Sequence, residues 1–433
     1  MKKLLFLCCA LLLLAACTQK EDNTKGKETK GDNKMNEQLV GKWEGNLVIP
    51  NGALPITPII VELQKDSGKL SVPAQGLSNY PFKSIKYNGD QVNVSINFNG
   101  SAIEINGTLK DGQIEATFQQ KDGKLPLVLK PYKEQPEQPV TYEKLQIPVK
   151  DGELTVALQK ASKEPSPVAL ILAGSGPTDK DGNSVIVGKN NSLKMIAEGL
   201  AKDGIATVRY DKRGVGDNQS LVTKEENMTI DQFVDDAVQV INTLLADKAY
   251  SSIHIIGHSE GSLIGLLASQ KANVESFVSI AGAGRPADEI LLEQLKGQII
   301  PEQQKELTDI LTSLKKGELV KNLSPNFQEL FRSSVQPYLI SWLKYNPASE
   351  IAKVKSRVLI LQGTTDLQVV ATDAEALKKS KPDADLEYLD GMNHILKNVP
   401  ADRAKNFATY SDPLVPLHKK LLPAIQQFIL NEK

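Results

Sequence analysis

The sequence predicts an α/β domain with a mostly parallel sheet covered by helices on both faces, preceded by a small antiparallel β domain. Three observations predict this fold class. Apolar and polar residues alternate with period 2 from about residue 39 to 131. Beyond about residue 141, compact apolar strands alternate with amphipathic helical segments. One of those strands runs into "GHSEG" at 257–261, and a helix-like segment follows.

Length and charge limit the partners that the chain can have. It has 433 residues, a formal net charge of −1 and 24% charged residues. This length is sufficient for two or three domains, each with its own core. Binding to a phosphate backbone requires a surplus of Lys and Arg. We therefore expect no nucleic-acid partner.

Residues 1–17 are typical of a lipoprotein signal peptide rather than of a folded element. Lys2 and Lys3 precede an apolar run that is shorter than the roughly 20 residues of a bilayer span. "LAAC" at 14–17 resembles the lipobox of bacterial lipoproteins, which implies cleavage before Cys17 and its acylation. We therefore expect a protein anchored to the bilayer in the bacterial cell envelope. "QKEDN" just after Cys17 resembles the acidic surface-export tag of some Gram-negative lipoproteins, which implies the outer membrane or the cell surface. An ordinary signal peptide or a weak membrane anchor is the alternative.

The next two segments are predicted to be a tether and a β domain. Residues 18–38 are almost entirely polar and indicate a flexible tether. Residues 39–131 contain alternating strands separated by turn dipeptides such as Asn88-Gly89 and Asp111-Gly112, which favour tight hairpins. These features predict an antiparallel meander, as a small sandwich or barrel. Trp43 is interpreted as a core residue in preference to part of a ligand pocket.

Residues 132–140 are predicted to be a linker, and residues 141–433 to be the α/β domain. A hairpin around Asp151-Gly152 opens this domain, and a helix with a capping box at Thr229 and Gln232 lies between its second and third parallel strands. Residues 285–352 contain helical segments without an obvious strand, which predicts a helical cap over the strand ends. The parallel strands are predicted at 168–173, 205–210, 252–257, 274–282, 357–363 and 386–391.

The motif Gly257-x-Ser259-x-Gly261 lies between a predicted strand and a predicted helix. That context is the one in which this motif forms a nucleophile elbow, a sharp turn that exposes the serine hydroxyl. The glycines let neighbouring backbones approach closely. We expect the backbone N–H of Glu260 to point into the space where an oxyanion would form.

A serine nucleophile needs a base, and the chain has four histidines. His254 lies within a strand and is interpreted as a packing residue or as one bonded to its neighbours. His258 directly precedes the serine and is expected to project to the other side of the elbow. His418 is interpreted as part of the terminal helix. His394, on the loop after the last strand, is therefore the predicted base, with a solvent-exposed loop histidine as the alternative.

The base needs an orienting carboxylate, and Asp366 follows the preceding strand. The order Ser259, Asp366, His394 is the one typical of G-x-S-x-G hydrolases. Asp373, Asp385 and Asp390 are alternatives, less favoured because each falls in a predicted helix or strand. The side chain of Glu260 is interpreted as a partly exposed helix start, with a role in shaping the leaving-group side as the alternative.

Six motifs together resemble those of the α/β-hydrolase superfamily and, within it, of bacterial serine carboxylesterases. The resemblance covers residues 140–433 and implies Ser259 as nucleophile, His394 as general base and acid, and Asp366 as its orienter. It also implies a second oxyanion donor from the loop at Gly174, where the N–H of Ser175 or of Gly176 could serve. The motifs are "GSGPTDKDGN", "YDKRGVGDN", "GHSEG", "SVQPYLISW", "QGTTDLQV" and "GMNH".

These residues predict a serine hydrolase, and the resemblance implies small carboxylic esters with a short acyl or an aryl group as its substrates. We expect no metal and no organic cofactor. Asp211 and Arg213 are interpreted as braces of the loop beside the site. A peptidase or acyltransferase of the same fold is the first alternative, because the triad alone does not select the leaving group or the acceptor. A non-catalytic binding lipoprotein is the second, and the presence of all three triad residues argues against it.

Overall fold

The computed structural model describes residues 35–47, 57–72, 77–98, 101–120, 123–132, 142–184, 188–222, 224–295, 299–328, 330–400 and 402–431. These residues form two compact units, one up to residue 132 and one from residue 142 onward. The predicted signal peptide with Cys17, most of the predicted tether, and linker residues 133–140 lie outside the described residues. None of the described helices is long and apolar enough to cross a membrane.

The first unit is an antiparallel sheet of nine described strands. In space the strands follow the order β4-β3-β2-β1-β9-β8-β7-β6-β5. Between β7 and β8, Asp111 and Gly112 have φ of 50° and 74°, as the predicted tight turn requires. The strands are β1 (Gly41–Leu47), β2 (Thr57–Leu63), β3 (Gly68–Val72), β4 (Leu77–Pro81), β5 (Ser84–Asn88), β6 (Gln91–Phe98), β7 (Ser101–Lys110), β8 (Gln113–Gln120) and β9 (Gly123–Pro131).

The connection between β4 and β5 shows that this sheet rolls back on itself. The two strands form opposite edges of the sheet, yet only Phe82 and Lys83 connect them. Two connecting residues span at most about 11 Å, whereas the edges of a flat nine-stranded sheet would lie roughly 38 Å apart. Lys83 N–H donates to the carbonyl of Ser95 on β6 at 2.8 Å. Of the two predicted forms, the barrel is therefore the closer description.

One face of the rolled sheet carries the core of this unit. Trp43 is 5% exposed and its indole N–H donates to the carbonyl of Leu39 at 2.9 Å, which supports its interpretation as a core residue. The chain joins this unit earlier than predicted. Asn36, assigned to the tether from its composition, donates its backbone N–H to the carbonyl of Gly89 at 3.1 Å.

The second unit contains an eight-stranded sheet in the order β10-β11-β13-β12-β14-β15-β16-β17. β11 is antiparallel to both of its neighbours, and the other neighbouring pairs are parallel. This mixed sheet, with helices on both faces, has the α/β-hydrolase fold. The strands are β10 (Glu143–Val149), β11 (Gly152–Gln159), β12 (Ser166–Leu172), β13 (Ala206–Tyr210), β14 (Tyr250–His258), β15 (Ser276–Ile280), β16 (Arg357–Gly363) and β17 (Asp385–Leu389).

Ten described α-helices accompany this sheet, and four of them lie in the predicted cap segment. α4 to α7 fall between β15 and β16, and the described residues there contain no strand. The helices are α1 (Ser192–Lys202), α2 (Ile230–Ala246), α3 (Glu260–Lys271), α4 (Ala287–Leu295), α5 (Pro301–Lys315), α6 (Gln336–Leu343), α7 (Pro347–Ile351), α8 (Ala371–Ser380), α9 (Arg403–Ala408) and α10 (Leu421–Leu430).

The central strands are buried on both faces, which explains their continuous apolar sequences. On β12, Val168 and Leu170 join the core that contains residues of α2 and α3, whereas Ala169 and Ile171 join the core that contains residues of α1 and α10. Burying a side chain of this size contributes about 1.5–3 kcal/mol. The two cores together hold the parallel strands in register, so that their carboxyl ends meet at one edge.

Candidate active site

Ser259 lies in a strained turn between β14 and α3. Its φ of 54° and ψ of −120° are unfavourable for a residue with a side chain. A Cβ at Gly257 would lie 2.3 Å from the carbonyl oxygen of Gly261, and one at Gly261 would lie 2.3 Å from that of Leu172. Both glycines are therefore required by close backbone approach, as expected for an elbow. The turn places the serine at the carboxyl edge of the sheet.

Asp366 and His394 come together from loops after two neighbouring strands. Asp366 follows β16, His394 follows β17, and Nδ1 of the imidazole lies 2.8 Å from Oδ2 of the carboxylate. The other oxygen, Oδ1, accepts the backbone N–H groups of Gln368 and Val369 at 2.8 and 3.0 Å. The carboxylate is thus fixed by three hydrogen bonds. The Nδ1–H tautomer that it stabilises leaves Nε2 of His394 free to accept a proton.

The three alternative carboxylates lie elsewhere. Asp373, on α8, pairs with Arg285, whose Nε and Nη2 lie 3.0 and 2.9 Å from its two oxygens. Asp385 begins β17, and Asp390 accepts the hydroxyl of Thr364 at 3.0 Å. None of these three has a hydrogen bond to His394 among the residues that the structure describes. Asp366 alone has the geometry of an orienting group for this imidazole.

His258 contacts His394, contrary to the expectation that it projects away. Its Nε2 donates to the backbone carbonyl of His394 at 2.8 Å, and the two ring centroids are 5.0 Å apart. Burial, and then the neighbouring His394, lowers the pKa of His258 to about 4. It is therefore neutral near pH 7 and adds no competing positive charge. Because it directly precedes Ser259, this contact fixes the histidine loop beside the elbow.

Ser259 Oγ has no hydrogen-bond partner among the described residues. Such bonds are often long or misaligned without substrate and tighten when it binds. Two contacts hold the His394 loop close to the elbow: the His258 bond to the His394 backbone and the Asp366 bond to the ring. These contacts assemble the three predicted residues at one edge of the sheet.

A buried asparagine pair connects the loops that carry the acid and the base. The side-chain N–H₂ of Asn393 donates to Asn406 Oδ1 at 3.2 Å and to Thr409 Oγ1 at 3.0 Å. Asn406 in turn donates to the carbonyl of Thr365, the neighbour of Asp366, at 2.8 Å. Asn393 and Asn406 are fully buried. Sequence reasoning missed this pair, and only the Asn in "GMNH" next to the predicted base could have signalled it.

The loop after β12 lies against the serine. A Cβ at Gly174 would be 3.3 Å from the Cβ of Ser259. The hydroxyl of Thr178 donates to the carbonyl of Ser175 at 2.9 Å and holds the loop in place. The N–H groups of Ser175 and Gly176 have no acceptor among the described residues. The N–H of Glu260, at the first position of α3, has no partner within its helix. Three backbone donors are thus available beside Ser259.

Ion pairs brace the loop 211–214 itself, as interpreted from the sequence for Asp211 and Arg213. Arg213 binds both oxygens of Asp236, with Nε 2.5 Å from one and Nη2 2.8 Å from the other. Asp211 accepts the backbone N–H of Lys180 at 2.8 Å. Lys212 was not singled out, yet it is buried.

Two interpretations of polar residues were wrong. Glu260 is 5% exposed rather than partly exposed, because Lys212 and Tyr338 bind its carboxylate. His418 precedes α10 instead of lying within it, and its Nε2 is 3.0 Å from the carbonyl of Asp390. His254 is completely buried and its ring is bonded to Ser252 and Ser276, in agreement with its interpretation as a packing or neighbour-bonded residue. No group of three or more His, Cys, Asp or Glu placed to hold a metal occurs in the described part of the chain.

Comparisons with known proteins find one family model and several relatives that are similar to this chain, and the family model matches within the second unit. Residues 189–399 match the family described as "Serine aminopeptidase, S33". Esterase EstD of Thermotoga maritima is 26% identical over 281 residues, which are 62% of this chain and 64% of the esterase. The probable aminopeptidase YbaC of Bacillus subtilis is 39% identical over 59 residues, 14% of this chain and 19% of that protein. The chain thus covers less than two thirds of the length of either relative.

Solved structures are also similar to part of this chain. Est1E from Butyrivibrio proteoclasticus with bound ferulic acid has 17% sequence identity and a TM-score of 0.43, over 66% of this chain and 96% of that one. Proline iminopeptidase of Mycobacterium smegmatis has 16% identity and a TM-score of 0.44, over 66% of this chain and 97% of that one.

Proposed function

We propose that this protein is a serine hydrolase that cleaves small carboxylic esters through Ser259, His394 and Asp366. The observation that carries the proposal is the Asp366–His394 pair, 2.8 Å from oxygen to nitrogen, held beside a strained serine elbow. The backbone strain at Ser259 costs free energy in folding. A role of its hydroxyl as a nucleophile explains why the strain is kept. The 26% identity to an esterase supports the ester class.

In the proposed reaction, Ser259 Oγ attacks the carbonyl carbon of the ester while Nε2 of His394 takes the hydroxyl proton. Asp366 holds Nδ1–H and stabilises the imidazolium that forms. The carbonyl oxygen becomes an oxyanion that accepts the N–H of Glu260 and that of Ser175 or Gly176. Collapse of this intermediate expels the alcohol, which takes the proton from His394, and leaves an acyl-enzyme. Water then repeats the sequence and releases the acid.

The oxyanion donors contribute as much to this proposal as the triad does. Removing one such donor costs about 3–4 kcal/mol of transition-state stabilisation in related chemistry. The N–H groups of Ser175, Gly176 and Glu260 belong to the backbone, so their placement depends on what holds the two segments.

A serine aminopeptidase is the second candidate, and the family match over residues 189–399 favours it. The triad performs the same steps on an amide, except that His394 must protonate an amine as it leaves. An acyltransferase would use an acceptor other than water. The three activities therefore differ in substrate and acceptor, not in the nucleophile.

The experiment is hydrolysis of p-nitrophenyl esters from acetate to palmitate, and of aminoacyl p-nitroanilides, by the full-length chain. The control is Ser259→Ala, which keeps the fold and removes the nucleophile. We expect turnover on short esters that falls with chain length and is lost in the variant. Faster turnover of the anilides than of the esters would favour the peptidase. Equal turnover by the variant would exclude Ser259 as the nucleophile.

We also propose that acylation of Cys17 anchors the protein to a bilayer of the cell envelope. The proposal is based on the lipobox-like "LAAC" at 14–17. Incorporation of radiolabelled palmitate, with Cys17→Ser as the control, tests it. We expect label in the wild-type chain and none in the variant, whereas equal label in both would contradict acylation at Cys17.

A further inference from the structure

We propose that Lys212 is a positioning residue that holds both segments of the oxyanion hole with one ammonium group. The inference rests on the proposed function, because it concerns the donors that would face an oxyanion at Ser259. Lys212 belongs neither to the triad nor to the donors of the oxyanion hole. Two hydrogen bonds of Lys212, to Glu260 and to Gly174, support the inference. The hydrogen bond from Tyr338 to Glu260 extends the network to the cap.

The ammonium of Lys212 connects the two segments that carry the proposed donors. Its Nζ donates to Oε1 of Glu260 at 2.6 Å and to the carbonyl oxygen of Gly174 at 3.1 Å. The side chains of Lys212 and Glu260 are only 7% and 1% exposed. Both contacts are thus shielded from water, which makes them stronger than exposed ones. One segment is the start of α3, and the other is the loop after β12.

The contact with Gly174 fixes the direction of a neighbouring N–H. The carbonyl of Gly174 and the N–H of Ser175 belong to the same planar trans peptide and point in opposite directions. A cation that holds the carbonyl therefore also sets where the N–H points. This peptide lies against the serine, since a Cβ at Gly174 would be 3.3 Å from the Cβ of Ser259.

The contact with Glu260 acts on the second donor. Glu260 supplies its backbone N–H to the proposed hole, and its side chain is fixed at both carboxylate oxygens. Lys212 binds Oε1, and the hydroxyl of Tyr338 donates to Oε2. The relative placement of the two N–H groups is therefore set by a single cation.

Tyr338 makes the cap part of the same network. It lies on α6, in the cap segment, and is 3% exposed. Its ring centroid lies 6.5 Å from that of Phe233 on α2, and the Lys212 ammonium lies 4.5 Å from the Phe233 ring centre. The cap, the loop at 211–214 and the elbow thus share one buried cluster.

A buried ion pair can also stabilise a fold without any role at a site, and the neighbouring residue offers the matched comparison. Arg213 pairs with Asp236, their side chains are 3% and 2% exposed, and the Arg213 guanidinium donates to the carbonyls of Lys150 and Leu221. Within the part of the chain that the structure describes, no hydrogen bond or ion pair of this second pair involves the elbow or the loop at Gly174. The two pairs therefore separate a positioning role from a general contribution to stability.

The test compares an ordinary ester with its thionoester, in which sulfur replaces the carbonyl oxygen. Sulfur is larger and a poorer hydrogen-bond acceptor, so an aligned oxyanion hole favours the oxygen ester. The variant is the double substitution Lys212→Met with Glu260→Gln, which leaves no unpaired charge buried. In the full-length chain we expect kcat to fall about 10- to 100-fold with little change in KM. This loss is smaller than the roughly 10²- to 10³-fold loss in kcat that follows the removal of one oxyanion donor. The ratio of kcat/KM for oxygen to sulfur should fall about tenfold.

Three companion variants complete the experiment. Arg213→Met with Asp236→Asn should lower the melting temperature and keep the oxygen-to-sulfur ratio. Lys212→Arg alone should lower the oxygen-to-sulfur ratio less than the double variant does, because it keeps the positive charge. Tyr338→Phe removes one hydroxyl and leaves the Lys212–Glu260 pair intact, so it should lower the oxygen-to-sulfur ratio less than the double variant does. If the double variant does not fold, the ratio of Tyr338→Phe is compared with that of the wild-type chain instead.

The outcomes separate this inference from the proposed function. Equal losses on both esters in the Lys212 double variant, or an equal fall of the ratio in the Arg213 pair, would overturn the positioning role. If the wild-type chain cleaves no ester, the rate of phosphonylation of Ser259 replaces turnover, since the phosphoryl oxygen also enters the hole. Labelling about tenfold slower in the variant would support the role, and equal rates would overturn it. A wild-type serine that does not label would reject the proposed function, and the inference with it.

Discussion

His254 is predicted to make the second unit less stable as the pH falls. It is fully buried on β14, and its two ring nitrogens lie 2.8 Å from the hydroxyls of Ser252 and Ser276. Burial, and then the positive charge of Arg357, lowers its pKa from the ordinary 6.5 to about 4. The unfolded chain therefore takes up a proton at a pH where the native chain does not. The free energy of unfolding must decrease as the pH falls from 6.5 towards 4.

The two pKa values of His254 set the size of this effect. Lowering the pKa of one histidine from 6.5 to about 4 corresponds to about 3 kcal/mol of stability, which is fully present above about pH 7 and is mostly lost by about pH 4. Other groups, including His258, titrate in the same range. The comparison is therefore made with His254→Gln, which cannot titrate and offers an amide to both hydroxyls.

The assay is urea unfolding at several pH values, followed through the fluorescence of Trp342. Because the chain has two tryptophans, a Trp43→Phe background makes Trp342 the sole reporter, and it lies in the same unit as His254. We expect the stability advantage of the wild-type chain over His254→Gln to shrink by about 3 kcal/mol between pH 7.5 and pH 4. An advantage that stays constant over this range would refute the reasoning.

Three further predictions concern the site and the first unit. Asp366→Asn should reduce kcat on p-nitrophenyl acetate about 10⁴-fold with little change in melting temperature, because an amide stabilises the wrong tautomer of the base; a loss below tenfold would contradict its role. Gly261→Ala should prevent correct folding of the elbow, since the new Cβ would lie 2.3 Å from the carbonyl of Leu172, whereas Gly123→Ala, whose Cβ would meet nothing closer than 3.4 Å, should be tolerated; thermal melts of both variants decide this. Trp43→Ala should cost the first unit about 3–5 kcal/mol in urea unfolding, and an unchanged midpoint would show that Trp43 is not a core residue.

The sequence was sufficient for the features that have local signals. β12 to β17 could be located because strands buried on both faces are short, continuous apolar runs. The elbow could be located because its glycines have no room for a side chain. Asp366 and His394 could be paired because each follows a strand, and the carboxyl ends of neighbouring parallel strands share one edge.

Contacts between distant segments left no such signal. Lys212 and Glu260 are far apart in the chain, and a charged residue at a helix start is usually exposed. Glu260 is buried only because the fold brings a cation to it. The bond from His258 to the His394 backbone and the bond between Asn393 and Asn406 likewise depend on how loops meet.

The pairing of the first and last strands of the nine-stranded sheet has a consequence for its place in the chain. Trp43 on β1 faces Pro131 on β9, and the N–H of Tyr132 donates to the carbonyl of Lys42 at 2.9 Å. The first strand therefore begins beside the point where the last strand ends. A strand order that returns to its start in this way leaves the two ends of the strand array a few ångströms apart, which is the arrangement that favours transfer of a module between proteins.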